Sequence, residues 1–154
     1  KIILFFNNKK IESKKLESLL NINENNDFNN LKDEALSGNK VRTNKLISDT
    51  FFENEKNIFY LNVINQRLIK LLEISRIKKN DNLDDAINLI TPPIFWKDRP
   101  IFNLQARMWS SIKIQKMLNE TYKIETKIKS NSQISQGILI KKLLIDICCL
   151  ANAS

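Results

Sequence analysis

An all-α fold, a helical bundle preceded by the tail of a small helical domain, is the class that this 154-residue sequence predicts, on three observations. Apolar residues recur at three- and four-residue steps along most of the chain, which is the spacing that lines one face of an α-helix. Only two glycines are present, too few for the turns of a sheet-rich fold. All three prolines, both tryptophans and two of the phenylalanines fall between Thr91 and Trp109, so the strongest break in the helical pattern is concentrated at one elbow.

Taken in order, KIILFF at the start has the β-propensity of a strand. Ser13 can then cap a short amphipathic helix carrying Leu16, Leu19 and Leu20. The Asn-rich NINENNDFNN reads as a linker and divides a first part, 1–26, from a main domain, 27–154. A helix over about Asn29 to Ser37 closes on Gly38, and another runs about Lys40 to Phe52 with Leu46, Ile47 and Phe51 inward. The long helix of about Asn54 to Lys78 carries Ile58, Leu61, Ile64, Leu68 and Leu72 in one stripe and forms the spine.

After Asp81 and Asn82 a short helix, about Leu83 to Ile90, has Asp84 and Asp85 in its first turn, where the helix dipole favours acids. Neighbours on a helix diverge by about 100° and do not converge on one metal ion. Pro92 and Pro93 stop that helix and force an extended exit, bringing Phe95 and Trp96 in on a stiff arm. Pro100 suits the first turn of the next helix, about Pro100 to Trp109, on which Phe102, Gln105, Ala106 and Trp109 share a face. Ser110 or Ser111 caps a helix to Lys129, with Ile114, Met117, Leu118, Tyr122, Glu125 and Ile128 on one side and Glu125 paired with Lys129. The last helix, about Ser132 to Leu150, is apolar nearly all round, the mark of a central or subunit-covered helix.

Composition excludes several function classes. With 42% apolar residues the chain can bury one core, or one core and a small appendage, and not a large enzyme. There is no GxxxxGK[ST] and no GxGxxG, hence no glycine-rich phosphate loop. The absence of histidine removes Ser-His-Asp and Cys-His catalysis and imidazole metal sites. Catalytic, cofactor-binding and metal-ligating residues are therefore expected to be none. Cys148 and Cys149 are adjacent on a helix and point apart, which suits small buried hydrophobes in a reducing cytoplasm better than a disulfide. The longest apolar run, Ile138 to Leu150, is broken by Lys141, Lys142 and Asp146, so no membrane span is expected. Lys1 opens in the middle of an apolar run, as a piece of a longer protein would.

The elbow, with Pro92-Pro93, Phe95-Trp96-Lys97, Phe102 and then Gln105 through Arg107 to Trp109, resembles one in the C-terminal half of the delta subunit of bacterial DNA polymerase III, the clamp-loader subunit that opens the sliding clamp. The resemblance extends upstream over Leu31 to Ile74, which is similar to the family's acidic-Ala helix ended by Gly, short helix, and long helix with an Arg near its middle. Downstream, Glu125 and Lys129 stand at a family Glu-x-x-x-Lys before the apolar terminal helix, and KIILFF looks like the helix end that closes the family's second domain. The fold implied is the helical collar, preceded by the end of a lid-type domain. The function implied is non-catalytic: joining the ATPase subunits of the pentamer into a ring during DNA replication, with the sliding clamp and nucleotide-like fold served by an N-terminal domain that this chain lacks.

The resemblance, with the preference of interfaces for buried aromatics, makes Phe95, Trp96, Lys97, Phe102, Gln105 and Trp109 the subunit-interface candidates, the alternative being that these aromatics fill the domain's own core. The formal charge of +8 is concentrated between 97 and 142, where ten Lys/Arg face three Asp/Glu. Lys113, Lys116, Lys123, Lys127 and Lys129 are accordingly the candidates for proximity to DNA, in an independent nucleic-acid-binding domain or beside DNA in a larger complex. A solvated helix face weighs more, because phosphate clamps favour Arg and interleaved aromatics, and twenty of the twenty-five basic residues are Lys.

Overall fold

The chain is seen in a computed structural model that describes residues 22–50, 52–77, 82–130 and 135–153. Among the described residues there are seven α-helices and one 3-10 turn, and no strand. KIILFF, the helix expected after Ser13, Phe51, Lys78, Asp81 and Ser132 lie outside them.

Helix α1, Ile22–Leu36, begins inside the stretch expected to be a linker, so the Asn-rich run is helical from Ile22 onward. Asn weakens a helix by only about half a kcal/mol per residue, whereas burying a large apolar side chain contributes about 1.5–3 kcal/mol. Phe28, Leu31, Ala35 and Leu36 are all buried and outweigh the local preference. The expected boundary at 26/27 thus falls within a helix. Gly38 ends α1 with φ +70°, and its N–H donates to Ala35 O at 3.0 Å. Asn39 caps α2, Lys40–Asp49, by accepting from the Arg42 N–H at 3.2 Å.

Helix α2 stops three residues earlier than the expected Phe52, at an extended Thr50. The chain there turns Phe52 back onto Phe28 and Tyr60, with ring centroids 6.2 and 5.7 Å away. Leu46 and Ile47 pack half-buried against the core, and Thr43 is the fully buried residue of α2. A 3-10 turn, Asn54–Lys56, leads into α3, Asn57–Ile77. The buried face of α3 is Tyr60, Leu61, Ile64, Arg67, Leu68, Leu71 and Ile74. The expected stripe is therefore correct in its middle but rotated at its ends, where Ile58 and Leu72 are only half-buried.

Helix α4, Leu83–Asn88, is capped by the Asn82 side chain at 2.9 Å and ends before Leu89. Helix α5 is Arg99–Met108, α6 Ser111–Lys129 and α7 Gln136–Ala151. Helix α6 lies along α3 over the most extensive interface of the bundle, and α7 contacts α1, α2, α3 and α6, as a central helix must. The inward positions of α6 are Ile114, Met117, Thr121, Ile124 and Ile128. Tyr122 is exposed, which corrects its placement on the apolar face, while Glu125 is half-buried beside that face and accepts from Lys129 Nζ at 2.5 Å. Helix α7 buries Leu139, Ile140, Leu143, Leu144, Ile147 and Cys148 but leaves Ile138 and Ile145 exposed, so it is not enclosed on every side.

Candidate interaction surface

The elbow between α4 and α5 is pinned at both flanks and open in the middle. Ile90 and Ile94 are buried, one on each side of the proline pair, and the Thr91–Pro92 peptide is cis. Between Ile94 and α5 the chain turns, with the Asp98 N–H donating to Phe95 O at 2.9 Å. Phe95 and Trp96 project from this turn, 57% and 67% exposed, with ring centroids 5.8 Å apart. The Lys97 ammonium lies 5.3 Å from the centre of the Trp96 indole, within cation–π range. Leu104 is also exposed, and Leu104 and Arg107 follow Pro100 at helical spacing on the outer side of α5.

The inner side of α5 holds the other three interface candidates. Trp109 is 2% exposed, and its Nε1–H donates to Leu36 O at 2.7 Å. Gln105 is wholly buried and donates from Nε2 to Asp33 O at 3.3 Å and to Ser37 Oγ at 3.4 Å. Both therefore satisfy groups at the C-terminal end of α1, whose last carbonyls have no partner within the helix. Phe102 is buried beneath Arg67, whose guanidinium carbon is 3.6 Å from the ring centre. Phe102, Gln105 and Trp109 are thus occupied inside the domain and unavailable to a neighbour. Of the six candidates, only Phe95, Trp96 and Lys97 are presented at the surface.

Beside the elbow is an open cleft of about 570 Å³ between α1, α3 and the start of α5, lined by Lys32, Asp33, Arg67, Lys70, Asp98 and Phe102 among others. Arg67 Nη2 donates to Asp33 Oδ1 at 2.7 Å, and Lys32 Nζ reaches the same oxygen at 3.5 Å and Asn29 Oδ1 at 3.0 Å. Burial pushes the Lys32 amine below the ordinary lysine range; Asp33 opposes the shift and Arg67 adds to it. Sequence reasoning missed this cleft. Its only signal was the lysine among the apolar positions of α1, and Lys70 and Asp98 join it only through the tertiary fold.

The five lysines proposed for DNA are not equally free. Lys123 is paired with Glu120 at 2.7 Å and Lys129 with Glu125, while Lys113 donates to the Met108 and Ala153 carbonyls. Lys116 and Lys127 are exposed on α6. Asp84, in the acidic first turn of α4, accepts from Asn103 Nδ2 at 3.0 Å. Cys148 is buried, which raises its thiol pKa, and Cys149 is exposed. Among the described residues no helix is long and apolar enough to cross a membrane.

Fold and site together define a helical-bundle domain with a projecting aromatic elbow. Compared with known proteins, the chain matches no family model, no curated protein and no solved structure.

Proposed function

We propose that this chain is a non-catalytic subunit-interaction region, of the collar type found in the clamp-loader delta subunit, acting in the cytoplasm without a cofactor. The observation that carries the reading is the exposure of two adjacent aromatic rings on an elbow whose flanks are fixed in the core. Large rings held in this way supply contact area with little ordering left to do, which is how interface anchors work. The sequence resemblance supplies the particular assembly: the ATPase subunits of the clamp loader would be the direct partners, and the sliding clamp and DNA would be reached through the rest of that assembly. Direct DNA binding by this domain has less support, since three of its five candidate lysines are engaged within the fold.

The test is assembly of the chain with the clamp-loader ATPase subunits of the same organism, followed by sedimentation. A stable complex is expected, and Trp96→Ala should weaken it by about 2 kcal/mol or more while leaving the melting curve in place. Failure of the unmutated chain to join any such complex would remove the reading. Tight duplex-DNA binding that survives physiological salt would replace it with the nucleic-acid one.

A further inference from the structure

We propose that the cleft between α1, α3 and the start of α5 receives an acidic side chain of the protein partner that covers the elbow. The inference rests on the subunit-interaction reading and specifies that partner's chemistry: a carboxylate set beside an apolar surface that meets Phe95 and Trp96.

Three cations and two acids line the cleft. Asp33 is already shared between Arg67 and Lys32, and Asp98 is exposed to solvent. Lys70 has no ion pair among the described residues. Lys32 is 8% exposed and bonds through its ammonium to Asn29 and Asp33, yet an ammonium has three donors, so one proton is left for an incoming acceptor. The cleft thus holds more positive charge than its own carboxylates answer, in a setting where water solvates Lys32 poorly. An anion entering there regains what Lys32 lost on burial.

Position decides what kind of anion. Asp98 lines the cleft and donates its N–H to Phe95 O, so the turn that carries Phe95 and Trp96 adjoins the cleft at this residue. Phe102, the cleft's aromatic wall, is the residue stacked under Arg67. A protein footprint of ordinary size, about 800 Å² on each side, spans adjoining turn and cleft, and a carboxylate on its surface is the matching group. Free phosphate would offer similar chemistry without needing the turn.

The experiment measures the dissociation constant of the full chain for the clamp-loader ATPase subunit by titration calorimetry, with a melting curve for each variant. Lys70→Glu and Lys32→Met should each weaken association by about tenfold or more, and Asp98→Asn, which removes a competing acid, should strengthen it severalfold. Lys70→Glu is the safer variant, because Lys70 is only partly buried and the new carboxylate meets cations within the fold. If Trp96→Ala weakens the complex but both lysine variants stay within about twofold of wild type, the cleft is unoccupied there and the inference falls while the subunit reading stands. If inorganic phosphate binds the chain through Lys32 and Lys70 and assembly is indifferent to both, the cleft serves a free anion and the proposal is overturned. If the unmutated chain binds no ATPase subunit, the subunit reading fails first and the inference with it.

Discussion

Replacing Trp109 by Phe tests whether α5 holds the bundle together through the end of α1. The indole is 2% exposed and donates to Leu36 O at 2.7 Å. That carbonyl is in the last turn of α1, so no residue of its own helix replaces the lost donor. Leaving it buried and unpaired costs about 1–3 kcal/mol. The smaller phenyl leaves a void, and at about 24 cal/mol per Å³ the missing ring volume adds roughly 1 kcal/mol. The expected loss is therefore about 2–4 kcal/mol, a large part of the ~5–15 kcal/mol that holds a domain folded. Urea unfolding followed by circular dichroism and by the fluorescence of Trp96, the one indole remaining, should show a lower midpoint with an unchanged slope. The control is Trp96→Phe at a position 67% exposed, where about 0.5 kcal/mol or less is expected. Equal losses for the two variants, or a Trp109→Phe loss below about 0.5 kcal/mol, would refute the reasoning.

Three further perturbations probe the same framework. Arg67→Met breaks the 2.7 Å pair with Asp33 and the stack on Phe102, and should cost about 1.5–3 kcal/mol in urea unfolding, because the half-buried Asp33 carboxylate loses its short charged hydrogen bond and keeps only Lys32 at 3.5 Å. Gly38→Ala places a Cβ at φ +70° and 2.7 Å from Asn152 Nδ2, which now donates to Gly38 O, so a loss of about 1–3 kcal/mol is expected in thermal unfolding. Lys32→Met should raise stability at neutral pH, because burial holds the Lys32 amine below its ordinary 10.5. Below the lowered folded-state pKa both states carry the proton and the full penalty is present. Between that value and 10.5 the unfolded chain binds more protons, so wild-type stability climbs with pH and the advantage of Lys32→Met should vanish by about pH 10.5. A gap between the two proteins that does not change with pH would show that Lys32 is not strained.

Signals carried by a few neighbouring residues were legible in the sequence. Gly38 ends α1, Asn82 and Ser110 start α4 and α6, and the bounds of α5 shift by a single residue from the expected Pro100 to Trp109. What depended on distant partners was not. The Asn-rich start of α1 is helical because Phe28 and Leu31 find a core, and α2 ends early because Phe52 joins Phe28 and Tyr60. Tyr122 and Tyr60 each sit at an apolar-compatible helical position, yet one is exposed and the other buried, and only the packing of α3 on α6 and α1 separates them. The same holds for the site. Spacing places Phe102, Gln105 and Trp109 on one face but does not reveal that the face closes α1, more than sixty residues away in sequence. The cleft at Lys32 is assembled from α1, α3 and the start of α5, and a single lysine among the apolar positions of α1 is its one local trace.

The elbow's two sets of side chains divide its labour. Phe102, Gln105 and Trp109 face inward and are consumed by the fold, so the Gln-x-Arg-x-Trp spacing on its own accounts for a packing joint and does not require an interface. Phe95 and Trp96 forgo burial that would contribute about 1.5–3 kcal/mol for each large apolar side chain. Their neighbours Ile90 and Ile94 do not forgo it, although the same short connection carries all four. Two buried isoleucines anchor the chain on either side of the proline pair, and the 2.9 Å bond from Asp98 to Phe95 O closes the turn on which the exposed aromatics stand. A surface of this kind is retained at a cost to stability and is already ordered before anything docks on it. Lys32, in the cleft that adjoins this turn at Asp98, carries a cost of the same sign, as a cation kept under-solvated. On the proposed reading, one partner that presents a carboxylate next to an apolar face would relieve both costs.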